Sequence, residues 1–399
     1  MSLAQLSLTV PEWILLGTTM AAAVLQLLFF LIVYMRPVRR SKLAPAPEAL
    51  TGQQPPVSVI VYARNESHNL EQHLPHLLGQ EYPQYEIIVI NDGSTEEGDE
   101  LLTLLERQHP NLYHTFVPEE SKYLSRRKLS LTLGIKAAKY DLLCFVQANC
   151  RPMSNQWLAS MVRNYTDSTG IILGFCAYTT RKGFLHRIAA FDNLVNGTQY
   201  IASALAGKPF SGSGRNLSYR KAHFYDNKGF SHSLNLHAGD DDLFINRTAT
   251  GANTRVEYSP DSITETAPFS SFGIWKDLKV ARAATRRHYK GAQPGIYRLE
   301  AAGSILFIAA FAATLAVGII GRNILLAASA SAIYIILYTV KGIVWRRLAM
   351  LLRQRPIALS LPFIEAFRHM FDLYIIIYRL FRGKQDYTYT FGGKKADYR

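Results

Sequence analysis

Cysteine is scarce in this chain. Its three copies, Cys144, Cys150 and Cys176, show no paired CxxC spacing, which excludes a clustered zinc site and a disulfide-framed scaffold. A reduced, cytosol-facing domain is the expectation. Acids are in deficit too: 30 Asp and Glu stand against 44 Lys and Arg, a formal net charge of +14. That surplus suits nucleic acid, an anionic lipid surface or a phosphorylated small molecule. No internal repeat is present, which argues against a solenoid or propeller.

Charge is missing altogether from three stretches. Trp13 to Met35 carries none, and a helix over 11–35 is long enough for a bilayer, which needs ~20 residues. The run is long for a secretion signal, and no basic residue precedes it. Arg36, Arg39, Arg40 and Lys42 follow at once and place residue 36 onward on the cytoplasmic side. Gly303–Gly321 and Asn323–Val340, divided by Arg322, read as a transmembrane hairpin over 303–340. Lys341, Arg346, Arg347, Arg353 and Arg355 then mark the cytoplasm again, so both ends agree on one topology. Residues 356–382 are apolar but carry Glu365, Arg368, His369 and Asp372. Such charges are costly at mid-bilayer, and an amphipathic helix lying in the interface accommodates them better than a span. A polar tail, 383–399, closes the chain.

Between the membrane segments the pattern changes. Residues 36–56 read as a cytoplasmic linker, Pro- and Ala-rich from 43 onward. VSVIVY (57–62), YEIIVI (85–90), LYHTFV (112–117) and LLCFV (142–146) are strand candidates. Helices are predicted between them, from the leucines at 70, 74, 77 and 78, over 96–108 and near 126–138. This alternation implies right-handed crossovers and an open, mostly parallel α/β sheet flanked by helices. The domain is expected to run over 57–295.

Ligand chemistry belongs just past the strand ends of such a sheet. There lie Arg64, Asn65 and Glu66, then Asn91-Asp92-Gly93-Ser94, then Lys128, then Gln147 and Asn149. The last two are spaced so that both side chains can point the same way on an extended segment. NDGS is also an ordinary turn and helix cap. Farther on, FSGSGRNLSYRK (210–221) precedes HAGDDDLFINR (237–247). Three consecutive aspartates exceed what helix capping requires, so one is expected to be presented to solvent or to substrate. His232 and His237 nearby read as solvated loop residues rather than metal ligands.

Taken in order, VSVIVYARNESHNL, YEIIVINDGSTEEGDELL, RRKLSLTLGIKAAKYDLLCFVQANCRP, GRNLSYRK and GDDDLF resemble the membrane-anchored family-2 glycosyltransferases of GT-A fold, over roughly residues 55–290. The layout is similar to bacterial relatives of ceramide glucosyltransferase and cellulose synthase. This resemblance implies that Asp92 holds the base or ribose of a nucleotide sugar, with Asn65 and Glu66 beside it. It implies that Lys128 approaches the diphosphate. Gln147 and Asn149 occupy the DxD pair that normally holds Mg2+ or Mn2+; without carboxylates they would hold such a metal weakly, if at all. Asp241, as second acid of the family's ED motif, is the expected general base, and a one-residue shift would give Asp240. Arg215 and Asn216, from GRNLSYRK, are expected on the diphosphate or acceptor side.

The family's QxxRW signature is altered: WKDLKVARAATRRHY (275–289) keeps basic and aromatic character without the Gln or the Arg-Trp pair. Processive polymerisation is therefore in doubt. Arg286, Arg287 and His288 are expected to meet the diphosphate or lipid headgroups.

The expected function is inverting transfer from a nucleotide sugar, most commonly a UDP-sugar, to a lipid-linked or envelope-glycan acceptor at the cytoplasmic membrane face. The alternative is a catalytically silent nucleotide-sugar-binding scaffold that partners an active transferase. Nucleic acid is the weakest partner, because much of the excess basicity sits beside membrane segments.

Overall fold

In the computed structural model, residues 8–43, 54–92, 96–117, 125–357 and 360–382 are described. Gly93 and Ser94, residues 44–53 of the expected linker and the expected tail lie outside them.

The first element among the described residues is helix α1 (Val10–Phe29), which passes through a π turn (Phe30–Tyr34) into α2 (Arg36–Leu43). The start of the expected linker is thus helical. The α/β region then alternates β1 (Val57–Ala63), α3 (Ser67–Leu78), β2 (Tyr85–Asn91), α4 (Glu96–Gln108), β3 (Leu112–Phe116), α5 (Arg126–Ala137) and β4 (Leu142–Gln147). Shorter elements follow: β5 (Cys150–Pro152), α6 (Trp157–Val162), β6 (Ile171–Leu173) and β7 (Cys176–Tyr178). Next come the long α7 (Phe184–Ala204), β8 (Leu217–Arg220), α8 (Lys221–Asp226), α9 (Asp242–Thr248), β9 (Thr254–Val256), β10 (Thr264–Thr266) and α10 (Phe272–Thr285). Three helices end the described chain: α11 (Gln293–Ile320), α12 (Ile324–Leu351) and α13 (Leu361–Arg382).

Seven strands form the main sheet in the order β3-β2-β1-β4-β8-β6-β9. β3, β2, β1 and β4 are parallel, and β8 runs antiparallel to both β4 and β6. Along β1 the side chains alternate between two cores. Val57, Val59 and Val61 pack with Ile87, Val89 and Val146 on one face, while Ile60 joins Ile88, Ile90 and Phe145 on the other. Burial on both faces is why these strands read as unbroken apolar runs. Gly134 lets α5 lie close: a Cβ there would meet Ile90 Cδ1 at 2.5 Å. Register aligns Tyr62 of β1 with Gln147 of β4, and Ala63 with Asn91 of β2, so these ends share one carboxyl edge. A smaller sheet, β5-β10-β7, lies beyond that edge.

α1 (with its continuation to Ser41), α11 and α12 are long and apolar enough to cross a membrane. They pack together through paired polar groups: the Thr19 and Thr314 hydroxyls lie 2.9 Å apart, and Gln26 Nε2 donates to the Glu300 carbonyl at 2.9 Å. The turn between α11 and α12 is Gly321-Arg322-Asn323, where the Asn323 side chain caps α12 by accepting from Leu326 N.

α13 turns its charges inward. Glu365 accepts from Lys341 of α12 at 2.8 Å, Arg368 pairs with Asp192 of α7 at 3.2 Å, and Asp372 pairs with Lys279 of α10 at 2.6 Å. Phe371 stacks on Trp275 with ring centres 4.6 Å apart. Phe363, Met370, Leu380 and Phe381 are left exposed on the other side. Glu365, Arg368 and Asp372 therefore each have an oppositely charged partner within the protein.

Candidate active site

A cavity of about 750 Å³ opens at the carboxyl edge of the sheet, walled by β1, β4, the start of α5, α7, the 210–215 loop, the aspartate run and α10. Of the residues expected from sequence it gathers Gln147, Asp240, Asp241, Arg215 and Arg286, together with Arg64, Arg126, Arg127 and His237.

The aspartate run is fixed by three different sets of partners. Asp240 Oδ2 accepts from Arg127 Nε at 2.8 Å, and the guanidinium lies over the Tyr62 ring at 5.1 Å. Asp241 caps α9: it accepts from Asp242 N at 2.7 Å and from Gly214 N at 2.8 Å. Asp242 accepts from Thr285 Oγ1 at 2.6 Å and from the Tyr289 hydroxyl at 2.7 Å. Asp240 and Asp242 are buried, and Asp241 is the more open of the three. Burial, and then the neighbouring Asp241, push the Asp242 carboxyl up to about 6. Burial also raises Asp240, against the pull of Arg127.

Several expected positions lie elsewhere. Asp92 is buried behind the cavity wall, where it accepts from Arg126 Nε at 2.7 Å and from the Tyr62 hydroxyl at 2.8 Å. Asn65, in the left-handed region at φ 54°, and Glu66 are outside the cavity lining, and Glu66 accepts from Asn69. Lys128 departs most from expectation. Its ammonium is enclosed and donates to the carbonyls of Ser233, Leu236 (2.9 Å) and Ala238 (2.8 Å), so it pins the loop ahead of the aspartates instead of facing a diphosphate. Burial pulls it down to about 8. Asn216 is equally internal, donating to the Phe175 and Ser262 carbonyls at 2.8 and 2.7 Å. Arg287 and His288 are exposed and outside the lining.

The amide pair is divided. Gln147 lines the cavity, whereas Asn149 does not, and its Oδ1 lies 3.3 Å from the Cys150 thiol, which donates to it. The three aspartates of the run already accept from a guanidinium, backbone amides and hydroxyls. Among the described residues no group of three His, Cys, Asp or Glu is placed to hold a metal ion. This donor set does not fit a divalent cation held by protein side chains.

Sequence reading missed Asn193, Asn196 and Gln199 of α7, and Asp277, Arg282 and Thr285 of α10, all of which line the cavity. α7 lacks a motif, and the altered QxxRW stretch that overlaps α10 pointed to Arg286, Arg287 and His288 alone; packing brings these residues to the site.

Matching relatives each cover part of the chain, among them these two. Glycosyltransferase AglE of Haloferax volcanii is 29% identical over 126 residues, 31% of this chain and 40% of that protein. Poly-beta-1,6-N-acetyl-D-glucosamine synthase of Staphylococcus epidermidis is 29% identical over 123 residues, 31% of this chain and 28% of that protein. The chain thus spans less than half the length of either relative. Among solved structures, the mannosyltransferase PcManGT from Pyrobaculum calidifontis, in complex with GDP-Man and Mn2+, superposes with a TM-score of 0.60 at 18% identity. That match covers 93% of this chain and all of the other, and it shows the expected GT-A type of fold. The family description "Glycosyl transferase family 21" fits residues 18–384, nearly the whole sequence and both groups of apolar helices. With the sheet, the cavity at its carboxyl edge and that span in agreement, the chain belongs to glycosyl transferase family 21.

Proposed function

We propose that this chain is a membrane-bound inverting glycosyltransferase, moving a sugar from a nucleotide-sugar donor, a UDP-sugar first among candidates, to a lipid-linked or envelope-glycan acceptor. The observation that carries this reading is Asp241: a carboxylate held by two backbone amides, partly open, in one cavity with Gln147 and six arginines.

Within the aspartate run, Asp240 is tied to the Arg127 side chain and Asp242 to those of Thr285 and Tyr289, whereas Asp241 accepts from backbone amides alone and is the more open, so its remaining lone pairs are the ones placed to act on substrate. The acceptor hydroxyl oxygen bonds to the anomeric carbon while its proton passes to Asp241. The bond from that carbon to the nucleoside diphosphate breaks, its electron pair leaves with the diphosphate, and the configuration inverts. Negative charge growing on the leaving group meets fixed guanidinium groups, of which Arg282 and Arg286 are contributed by α10. Because Gln147 brings no charge, transfer depends weakly on Mg2+ or Mn2+, or not at all. α1, α11 and α12 span the membrane, the basic clusters at 36–40 and 346–355 lie on the cytoplasmic side, and α13 lies along that interface with its apolar face toward lipid.

One observation favours the silent-scaffold reading, the amide pair at 147 and 149. Both readings are tested by full-length chain in detergent or nanodiscs, offered a panel of nucleotide sugars. Thermal shift identifies the donor base and sugar. Asp241→Asn is expected to keep that shift and lose transfer by at least ~100-fold, the usual contribution of a general base. Undiminished transfer by Asp241→Asn would remove the assignment. A wild-type chain that binds donor and transfers to no acceptor points to the scaffold.

A further inference from the structure

A second cavity, of about 370 Å³, lies away from the candidate active site, where the end of α12 meets the start of α7. It is lined by Arg181, Arg187 and Arg355, with His186 among others, three guanidinium groups without one carboxylate in the lining. We infer that this cavity binds the phosphate headgroup of an anionic membrane phospholipid.

The cations are held ready by the fold. Arg181 and Arg187 flank the turn into α7, where Gly183 adopts φ 121°, a conformation that L side chains rarely take. Arg355 follows α12 and is placed by its neighbour. The buried Gln354 side chain accepts from Tyr178 N and donates to the Tyr178 carbonyl, both at 3.0 Å, which fastens the chain leaving α12 to the end of β7. His186 directs Nδ1 at the Lys182 carbonyl at 2.7 Å, so its other ring nitrogen is uncommitted. Among the described residues, Arg181, Arg187 and Arg355 have no side-chain partner, and all three are exposed. Guanidinium groups gathered around a concave surface match phosphate oxygens by charge-assisted, often bidentate hydrogen bonds.

The rim separates a lipid from a free anion. Phe184, 60% exposed, begins α7 beside His186, and its ring meets Phe367 of α13 edge-on at 5.6 Å. Phe363, 76% exposed, follows Ser360 of the lining by one turn. A cationic pocket edged by exposed aromatic rings suits an anionic amphiphile: headgroup in the cavity, glycerol and acyl chains along α13. Its height also fits, because the lining begins three residues beyond Leu351, the end of a helix long and apolar enough to cross a bilayer. This inference rests on the membrane placement proposed above, but on no catalytic residue.

The test uses full-length chain in nanodiscs of phosphatidylcholine with phosphatidylglycerol, read by native mass spectrometry for lipid carried through gentle delipidation. Phosphatidylglycerol is expected to stay bound to the wild-type chain, and retention is expected to fall by about tenfold in Arg181→Gln/Arg187→Gln/Arg355→Gln. The control, Arg346→Gln/Arg347→Gln, removes two exposed charges of the same juxtamembrane region outside the cavity and is expected to retain lipid as wild type does. Equal losses in both variants would mean general surface electrostatics and overturn the site. So would full retention by the triple variant. Displacement of the lipid by millimolar inorganic phosphate would assign the cavity to a free anion. Unfolding curves for each variant establish that the fold is intact. Nucleotide-sugar thermal shift, run alongside, reports separately on the transferase reading, since lipid retention needs no turnover.

Discussion

Arg127 Nε donates to Asp240 Oδ2 at 2.8 Å, joining the second residue of α5 to the first aspartate of the run that ends in α9. Asp240 is 6% exposed, so this pair works in a poorly solvated setting, and the same guanidinium covers the Tyr62 ring. Removing one partner leaves the other charge buried and unpaired. Arg127→Ala is expected to lower stability by about 2 kcal/mol, below the range for fully buried pairs because the arginine keeps some solvent contact. Adding Asp240→Asn should recover part of that loss. Equilibrium unfolding of the two single variants and the double variant measures the coupling.

Asp242 gives the fold a pH dependence with a definite sign. Its folded carboxyl is raised from 3.8 to about 6, so between those values the folded chain binds more protons at this position than the unfolded chain. Stability therefore falls as pH rises through that window, and the contribution is complete only below its lower end. Asp242→Asn keeps an acceptor for Thr285 and Tyr289 and removes the charge. Melting temperature followed across the window should show a flatter profile for Asp242→Asn than for wild type. Parallel profiles would assign the titration to another group.

Lys128 invites confusion between a binding role and a structural one. If its ammonium touched a diphosphate, Lys128→Met would chiefly raise KM for the donor. Because it donates to three carbonyls of the 233–238 segment, substitution should instead destabilise the chain by roughly 2–4 kcal/mol. Unfolding measurements, paired with donor KM at a temperature where the variant stays folded, separate the outcomes. A raised KM with unchanged stability would return Lys128 to the ligand.

The sequence disclosed what periodicity encodes. β1, β2 and β4 are buried on both faces, so their apolar runs gave boundaries within a residue or two of those observed. The alternation of helix and strand likewise disclosed the parallel half of the sheet. What it could not disclose is where a side chain points. Gln147 and Asn149 are two residues apart, yet a turn after β4 sends one to the cavity and the other to Cys150. Lys128 and Asn216 look polar and available in one dimension, and both prove to be internal fasteners. β5, β7 and β10, at three residues each, are too short to show a period, and they form the second sheet through contacts more than 80 residues apart in sequence. In α13 the charges were legible, but their partners were not: Asp192 lies on α7, which no motif marks, and Lys279 lies in the altered QxxRW stretch, where nothing sets it apart from its basic neighbours.

Lys341 and Glu365 pose the sharpest energetic question. Lys341 is fully buried within α12, and its ammonium lies 2.8 Å from a Glu365 oxygen and 3.4 Å from Ser304 Oγ. Glu365 is itself buried, at 3% exposure. Desolvating both charges offsets much of their attraction, so the pair is a weak source of net stability. Splitting it is another matter. Lys341→Met strands a carboxylate among apolar helices and should cost roughly 3–5 kcal/mol, and Glu365→Leu should cost a similar amount by stranding the ammonium. The double variant Lys341→Met/Glu365→Leu restores charge balance at similar volume and should be far more stable than the sum of the single losses predicts. What the pair supplies is orientation, since it aligns α13 so that Arg368 reaches Asp192 and Asp372 reaches Lys279 on the helix that walls the active-site cavity. The double variant is therefore expected to keep its melting temperature within a few degrees while limited proteolysis near α13 accelerates. Strictly additive losses would show that the two residues do not act as a pair.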